Sequence, residues 1–495
     1  MKSLLQVLDT RLDASHVVLQ DSKHSYRWDE IRIRVLTLAS RLVSMQISRV
    51  ALHGDNNVEW LLVDLACQHA GILCVPLPVF FSQQQLAHVL QSCAVQAVFT
   101  STPSLFAQHA DEPAVNMLPG LALRKLASGT APQLPKGTDK ITFTSGSTGT
   151  PKGVCLSTAQ LLLQAEALKE AVGLEKPVHL CVLPLGTLLE NVAGVYAPLL
   201  AGGTVVLRSL NELGFAGSAL QDPQKMLQAL STVQPDSIIL IPQLLQLLVH
   251  AAKSGWKAPA FKFIAVGGAR VASALIGEAR LLGLPVYEGY GLSECASVVS
   301  LNTPAGDLPG SCGKPLPHIN VEVEPKDNEI FVSGNAMLGY VGDPQSWYPQ
   351  RIATGDLGHI DAQGFLHIDG RSKNLLISSY GRNIAPEWVE SELLATTLFR
   401  DVVVMGDAKP WCSALLGPVA STIPDALIEQ ALAQVNQRLP DYARIKRWIR
   451  LAQPLAADPA LVTGNGRPRR AAIAQRFQED IDRLYAEPQL QVVAG

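Results

Sequence analysis

Short apolar runs that alternate with helical patterns narrow the possible folds of this chain more than any other feature. A bounded aliphatic run at residues 237–241 predicts a buried strand. Pro242 ends that run, and the apolar-periodic segment closed by Gly255 predicts a helix. Further strands are predicted at residues 48–52 and 263–266. Alternation of this kind predicts an α/β fold with largely parallel sheets, whose ligands lie beyond the carboxyl ends of the strands.

The pattern changes after about residue 306. Short predicted strands with tight turns follow at residues 329–333 and 364–368, and residues 372–374 form a polar joint. The remaining chain predicts a smaller α+β segment, with a strand at 401–405 and helices at 426–439 and 470–484. We therefore expect an N-terminal domain of residues 1–371 and a C-terminal domain of residues 372–495.

Composition excludes several classes of protein. A chain of 495 residues with 47% hydrophobic and 17% charged residues has the make-up of a globular enzyme of more than one domain. The net charge of -3 gives no reason to expect a nucleic-acid partner. No run is long enough for a membrane span or a signal peptide, which indicates a cytoplasmic protein. None of the eight cysteines forms a CxxC pair, so we expect reduced, mostly buried thiols.

The most informative segment is rich in glycine, serine and threonine and covers residues 142–153. A predicted strand leads into it, and a helix follows that begins at Ser157, with Gln160 at the capping-box spacing. Glycines allow backbone N–H groups to form a concave anion site, and Lys152 adds a positive charge. These groups suit a polyphosphate, although the spacing differs from that of a Walker loop. A plain surface turn is the alternative for an arbitrary loop of this composition.

Five segments together resemble the core motifs of one family. The segment 142–153 resembles the signature loop of the adenylate-forming (AMP-binding) superfamily of acyl-CoA synthetases, peptide-synthetase adenylation domains and luciferases. Residues 287–294, 354–356, 370–373 and 381–387 resemble its later motifs, in the family's order and at similar spacing. The resemblance covers essentially the whole chain and is nearest in pattern to fatty acid–CoA ligases.

This resemblance implies a fold and a set of ATP-binding residues. The implied fold has a large N-terminal domain of α/β subdomains with a small β-barrel-like part, and a smaller mobile α+β lid that turns about Lys373. Asp356 is expected to bind the ribose hydroxyls and Arg371 to lie near the α-phosphate. The other expected ATP-binding residues are Thr144, Ser145, Gly146, Ser147, Thr148, Gly149, Lys152, Gly267, Gly268, Ala269, Tyr290, Gly291 and Ser293.

The resemblance also implies catalytic, metal and substrate residues. Glu294 is expected to bind Mg²⁺, a cation that prefers carboxylate and phosphate oxygens. Lys152, Glu294 and Arg467 are the expected catalytic residues, and Gly381 is expected to line the channel for the thiol. The expected acyl pocket contains Thr187, Glu190, Gln243 and Gly289. Taken singly, several of these residues also fit a plain role in a turn, a helix start or the core.

Two positions depart from the family pattern. Arg467 stands where the family has a lysine that contacts the carboxylate and the α-phosphate, and arginine is planar and bulkier than lysine. Thr187 stands where relatives have a histidine or an aromatic residue. The same segment has no aspartate for an α-amino group, since Glu190 is the only acid nearby, which argues against an amino-acid substrate.

The predicted function is ATP- and Mg²⁺-dependent activation of a carboxylic acid to an acyl-AMP with release of pyrophosphate. Transfer to a thiol, coenzyme A, follows in this prediction, and the predicted acid is a medium- or long-chain fatty acid. One alternative acceptor is the phosphopantetheine of an acyl carrier protein. An aryl acid, a luciferase-like oxidase and a non-catalytic member that binds nucleotide or acyl-adenylate are further alternatives.

Overall fold

The structure is a computed structural model that describes residues 2–109, 112–127, 129–144, 151–217, 219–463 and 466–486. The predicted phosphate-binding residues Ser145, Gly146, Ser147, Thr148 and Gly149 lie outside the described residues. All eight cysteines are free thiols, and all but Cys312 are buried, as predicted. None of the helices in the described segments is long and apolar enough to cross a membrane.

The described segments contain these strands: β1 (Val17–Gln20), β2 (Ser25–Arg27), β3 (Arg49–His53), β4 (Leu73–Leu77), β5 (Ala97–Thr100), β6 (Val115–Leu118), β7 (Leu121–Lys125), β8 (Lys140–Thr144), β9 (Lys152–Leu156), β10 (Val178–Cys181), β11 (Thr204–Leu207), β12 (Phe215–Ala216), β13 (Ala219–Leu220), β14 (Ser237–Leu240), β15 (Phe263–Val266), β16 (Val286–Tyr290), β17 (Ser300–Leu301), β18 (Lys314–Pro315), β19 (Asn320–Val323), β20 (Glu329–Ser333), β21 (Gly339–Tyr340), β22 (Ile352–Ile360), β23 (Leu366–Arg371), β24 (Leu376–Ile377), β25 (Asn383–Ile384), β26 (Phe399–Met405), β27 (Cys412–Pro418) and β28 (Ile445–Arg450).

The α-helices in the same segments are α1 (Leu4–Leu8), α2 (Trp28–Ser44), α3 (Val58–Ala70), α4 (Gln83–Cys93), α5 (Thr158–Val172), α6 (Ala197–Leu200), α7 (Pro223–Val233), α8 (Pro242–Lys253), α9 (Ser273–Leu281), α10 (Pro386–Leu394), α11 (Asp425–Arg438), α12 (Arg470–Arg476) and α13 (Gln478–Ala486). A π-helix spans Glu190–Tyr196 and continues directly into α6. Short 3-10 helices lie at Pro103–His109, Ser293–Cys295, Pro344–Ser346, Ser372–Asn374, Asp441–Ala443 and Leu455–Ala457.

Local sequence signals explain where several elements begin and end. The Ser157 side chain accepts a hydrogen bond from the Gln160 backbone N–H, and the Gln160 side chain accepts one from the Ser157 N–H. This capping box begins α5 as predicted, and Gly173, in the left-handed conformation, ends it. The four residues of β14 are all buried. Pro242 is then the first residue of α8, where proline is tolerated because a backbone N–H at this position would have no partner within the helix.

One sheet carries the segment that flanks the predicted phosphate loop. In the described segments it has eight strands in the order β21-β9-β8-β4-β3-β5-β7-β6. Strands β8 and β9 pair antiparallel as a hairpin, with Thr144 opposite Lys152 where the two strands meet the predicted phosphate loop. The sequence analysis predicted the helix α5 but not the strand β9 before it. The hairpin brings both ends of the loop to the same sheet edge.

A second, larger sheet contains most of the parallel strands. Its described strands number nine, in the order β18-β17-β16-β15-β14-β10-β11-β1-β2, and β10, β11, β14, β15 and β16 are parallel to one another. Side chains alternate between the two faces of a strand. One face, which includes Ile238 and Ile264, packs in a core with α7, α8 and α9. The opposite face, which includes Cys181 and Phe263, belongs to the core that also contains α5, the π-helix and α6.

Smaller sheets follow in the chain. Strands β19, β20, β22 and β23 form an antiparallel sheet in the region where the β-barrel-like part was expected. In the C-terminal part, β26, β27 and β28 form a sheet whose core includes side chains of α10 and α11. The predicted helix at residues 470–484 is present as two helices, because the backbone at Phe477 leaves the helical conformation. The division at residue 371 stays a prediction.

Candidate active site

A cavity of about 1830 Å³ opens between the carboxyl ends of the parallel strands, the small antiparallel sheet and the C-terminal part of the chain. Its position is the one expected for a ligand in a parallel sheet. Sixteen of the predicted site residues line it: Thr144, Lys152, Thr187, Gln243, Gly267, Gly268, Ala269, Gly289, Tyr290, Gly291, Ser293, Glu294, Asp356, Arg371, Lys373 and Arg467. Glu190 and Gly381, which the sequence analysis also named, are not among the lining residues.

Asp356 is the centre of the best-defined polar cluster. It lies on β22 opposite Arg371 on β23, and it is 3% exposed. Arg371 Nε lies 2.8 Å from Asp356 Oδ1, and the Tyr290 hydroxyl donates to Asp356 Oδ2 at 2.6 Å. Burial, and then the charge of Asp356, raise the pKa of Tyr290 well above its usual range, so the phenol remains a donor. The carboxylate is thereby held in one orientation, and each oxygen keeps a further lone pair for a ligand.

Glu294 and Lys152 lie near a tyrosine that the sequence analysis did not single out. The Tyr340 hydroxyl donates to Glu294 Oε1 at 3.0 Å, and Lys152 Nζ lies 5.2 Å from the centre of the Tyr340 ring. Tyr340 is on β21, which pairs with β9 beside the phosphate-loop hairpin. No sequence motif includes Tyr340. Only the pairing of its strand with β9 places it near Glu294 and Lys152, and the sequence does not show that pairing.

The glycines between the two clusters are required by close backbone contacts. A Cβ atom at Gly291 would lie 1.8 Å from the carbonyl oxygen of Ser297, and one at Gly267 would lie 3.0 Å from the carbonyl oxygen of Gly289. A side chain at Gly291 therefore cannot be accommodated without a shift of backbone. Gly267 and Gly291 follow directly after β15 and β16, and both line the cavity.

Arg467, in the C-terminal part of the chain, contacts the backbone that follows β15. Its guanidinium donates through Nη2 to the carbonyl oxygen of Gly268, 199 residues away in the sequence. The backbone N–H of Arg467 donates to Thr463 Oγ1 at 3.1 Å. Desolvation, and then the charge of Arg371, lower the pKa of Arg467, although an arginine remains a cation at neutral pH. Part of the Arg467 side chain is still in contact with solvent, so we expect this lowering of its pKa to be small.

The expected hinge residue, Lys373, and the residue expected to line the thiol channel, Gly381, lie in different places. Lys373 is in the 3-10 helix Ser372–Asn374 and lines the cavity. Gly381 is exposed in the turn between β24 and β25, where its N–H donates to the carbonyl oxygen of Ser378. Its φ of 74° is in the left-handed region that favours glycine. Gly381 is away from the cavity in this arrangement of the C-terminal part.

The cavity continues as a channel along the inner face of the nine-stranded sheet. Ile239, Phe263 and Ala265 line the sheet side, and Ala193 and Ala197 line the helix side. Thr187 also lines the cavity, and its hydroxyl donates to the carbonyl oxygen of Pro184 at 2.7 Å. Glu190 is fully buried behind the lining and pairs with His179, whose Nε2 lies 3.4 Å from Glu190 Oε1. The sequence analysis missed His179 because its partner is 11 residues away with no motif between them.

Comparison with known proteins agrees with this geometry. The family model described as AMP-binding enzyme matches residues 7–341, and the model for the AMP-binding enzyme C-terminal domain matches residues 373–489. The chain belongs to the AMP-binding enzyme family. The predicted superfamily and the predicted class, an AMP-forming acid–thiol ligase, are thereby confirmed.

Curated relatives of the chain cover nearly its full length. A long-chain-fatty-acid–CoA ligase of Mycobacterium bovis is 26% identical over 92% of this chain and 91% of its own. A 2-succinylbenzoate–CoA ligase of Enterococcus faecalis is 27% identical over 82% of this chain and 85% of its own. The two names differ in their acids, so identity at this level leaves the acid open.

Solved structures have the same fold. The anthranilate CoA ligase AuaEII in complex with anthranoyl-AMP superposes with a TM-score of 0.82 at 16% identity, over 97% of this chain and 98% of that one. The o-succinylbenzoate CoA synthetase of Bacillus subtilis with its acyl-adenylate superposes with a TM-score of 0.78 at 22% identity, over 96% and 98% of the two chains. The predicted α/β fold with a large N-terminal and a smaller C-terminal part is confirmed.

Proposed function

We propose that this ligase activates a medium- or long-chain aliphatic acid as its acyl-AMP and transfers the acyl group to coenzyme A. The observation that carries the proposal is the channel beside β14 and β15. Its walls are largely apolar and include Ile239, Phe263, Ala265, Ala193 and Ala197. An alkyl chain that enters such a channel leaves water, which contributes about 0.8 kcal/mol per CH₂ group. An aliphatic tail therefore matches this channel better than a short polar acid does.

The length of the channel supports the same substrate class. Ser237, at the start of β14, and Ile241, after its end, both line the cavity. Four residues of extended strand cover about 13 Å at about 3.3 Å per residue. The cavity also reaches Leu168 and Val172 on α5, beyond the π-helix. A compact ring would leave most of this length unfilled.

The residues around the polar end suit the two bond changes of the reaction. In the first, a carboxylate oxygen of the acid bonds to the α-phosphorus of ATP, and the bond from that phosphorus to pyrophosphate breaks. Lys152 at the hairpin would hold the departing phosphates, Asp356 would hold the ribose hydroxyls, and Arg467 would offset charge near the α-phosphate. In the second, a thiol sulfur bonds to the acyl carbon and AMP leaves. These residues bind and orient the substrates, which is the main source of rate in such a transfer.

Glu294 fits the Mg²⁺ ion that the family implies. It is a carboxylate at the cavity wall, and Tyr340 donates to one of its oxygens, so its orientation is fixed while the other oxygen is free of that bond. Oxygen donors of this kind are those that Mg²⁺ prefers. When bound, the ion would offset the negative charge of the phosphates.

The experiment is release of pyrophosphate from ATP and Mg²⁺ across straight-chain and aryl acids, with and without coenzyme A. We expect release with medium- or long-chain acids that coenzyme A accelerates. If coenzyme A leaves the rate of pyrophosphate release unchanged, the result would instead favour the phosphopantetheine of a carrier protein as the acceptor of the acyl group. Absence of release with every acid would refute the proposal and favour a non-catalytic binder.

A pair of variants tests the channel directly. Ala193→Leu narrows it, so kcat/KM for the longest accepted acid should fall at least roughly tenfold while shorter acids are less affected. Ala252→Leu is the matched control, because Ala252 is a half-buried helical alanine that does not line the cavity. An equal loss for all chain lengths in Ala193→Leu would contradict the placement of the tail.

A further inference from the structure

The apolar channel contains a polar group of residues that the proposed reaction does not use. His179 on β10 and Ser237 on β14 are directly opposite each other in the sheet, and both line the cavity. Each is buried, with exposures of 2% and 7%. Polar side chains at such depth are found where they are hydrogen-bonded, and an alkyl tail offers them no partner.

Hydrogen bonds join these two residues to Glu190. His179 Nδ1 lies 2.9 Å from Ser237 Oγ, and its Nε2 lies 3.4 Å from Glu190 Oε1. The second carboxylate oxygen of Glu190 has no hydrogen-bond partner, although the side chain is fully buried. Glu190 does not line the cavity, so it lies behind the residues that a tail would contact and holds the His179 ring from that side.

The backbone around Glu190 is shaped for this group. Glu190 begins the π-helix Glu190–Tyr196, and single π-helical turns inside α-helices often occur at functional sites. Gly194 of the same π-helix faces the pair: a Cβ atom there would lie 2.7 Å from Glu190 Oε1 and 2.9 Å from His179 Nε2. Only a glycine leaves the room that the pair occupies.

We infer that the acyl tail of the substrate carries a hydroxyl group that binds at Ser237 and His179, the two polar residues of this group that line the cavity. This inference rests on the proposed function and names the substrate class more narrowly, as a hydroxylated aliphatic acid. Ser237 lies four residues before Ile241, which places the hydroxyl about 13 Å from the strand ends along the channel. The polar group therefore belongs to the middle or distal part of the tail, well beyond the carboxylate.

A hydroxyl suits these residues better than other polar groups. It both donates and accepts, so it can complete the hydrogen bonding of Ser237 whichever way the Ser237–His179 bond runs. A second carboxylate would lose its hydration in an apolar channel, and burial of a charge costs more free energy than burial of a hydroxyl. A methyl or methylene group would place an apolar surface against the hydroxyl of Ser237 and offer it no hydrogen bond.

A metal ion is the competing occupant of the same residues. The ligand atoms of His179, Cys181 and Glu190 lie within 4.8 Å of one another. A thiol must lose its proton to bind a metal. Burial raises the pKa of Cys181 well above its usual range, and the Glu190 charge acts in the same direction, which favours the neutral thiol.

The test compares long-chain acids that carry one hydroxyl at successive positions with the matched unsubstituted acid. We expect the kcat/KM ratio of hydroxylated to plain acid to peak at one distal position, at roughly tenfold or more. Ser237→Ala should lower that ratio toward one. Ser413→Ala, a fully buried serine of the C-terminal sheet outside the cavity, should leave the ratio unchanged.

Each other result would overturn the inference. A flat ratio at every position, with plain acids still activated, would refute the hydroxyl site and leave the proposed function standing. Failure of every acid would refute the proposed function itself. A stoichiometric metal ion in the purified protein that Cys181→Ala removes would assign the residues to that ion instead. Thermal melting of each variant shows whether Ser237→Ala and Ser413→Ala are folded.

Discussion

Lys140→Met is the substitution whose effect on stability follows most directly from the structure. Lys140 is on β8, which leads into the phosphate-loop hairpin, and its ammonium is buried. It lies 2.7 Å from Asp64 Oδ1, and it donates to Asn191 Oδ1 at 2.6 Å and to the Tyr196 hydroxyl at 2.9 Å. These four residues join α3, the eight-stranded sheet and the π-helix beside the apolar channel.

The magnitude follows from what the substitution leaves behind. Methionine is close to lysine in length, so little cavity forms, and the loss is electrostatic. Asp64 stays fully buried, with Tyr196 donating to its Oδ2 at 2.5 Å and Asn191 donating at 3.1 Å. Its Oδ1 loses the ion pair. Removal of one member of a buried ion pair typically costs about 3–5 kcal/mol, because the other charge remains in the interior without compensation.

The assay is urea unfolding followed by tryptophan fluorescence in a double-mutant cycle of Lys140→Met and Asp64→Asn. We expect each single variant to lose about 3–5 kcal/mol, and the double variant to lose much less than the sum. Lys262→Met is a matched control, because its ion pair with Asp236 is largely exposed on the lysine side and should contribute about 1 kcal/mol or less. A loss below 1 kcal/mol for Lys140→Met, or simple additivity in the cycle, would refute the reasoning.

Three further predictions concern the cavity. Glu294→Gln should lower acyl-AMP formation by roughly 10²–10³-fold while the melting temperature stays close to that of the parent; an unchanged rate at limiting Mg²⁺ would contradict the metal assignment. Arg467→Lys should retain or raise the rate of pyrophosphate release, and a tenfold loss would show that the guanidinium has a role of its own, as its bond to the Gly268 carbonyl allows. Burial raises the pKa of Glu288 from its ordinary value of 4.5 to about 8, so the folded protein holds a proton that the unfolded chain releases. Stability should therefore fall by about 5 kcal/mol as pH rises from about 4.5 to about 8. Glu288→Gln should remove this slope in urea titrations at a series of pH values, and a persistent slope would assign it to other groups.

Local patterns were sufficient for several elements of the fold. The strand predicted at 263–266 is present with the same bounds, and the capping box at Ser157 begins α5 as expected. Apolar periodicity and helix caps depend on residues close in sequence, so both can be predicted from the sequence alone. Strand β9 was not predicted, because its five residues directly follow a glycine-rich loop and its pairing with β8 forms only when the hairpin closes.

The candidate site shows the same division. Motif strings marked Tyr290, Asp356 and Arg371 as site residues, and all three line the cavity. The strings did not show that Tyr290 donates to Asp356 from 66 residues away, or that Tyr340 donates to Glu294. Such bonds depend on how strands from different segments are placed, and spacing within a motif carries no information about that placement.

By itself, the sequence determined the family and the α/β class, because these depend on short motifs and on local periodicity. Only the tertiary structure decided what surrounds them. The packing of β10 against β14 and the π-helix brings His179, Ser237 and Glu190 together inside an apolar channel. The docking of the C-terminal part brings Arg467 to Gly268. Both contacts join segments that are distant in the sequence. They form only when those segments pack together and their side chains leave water.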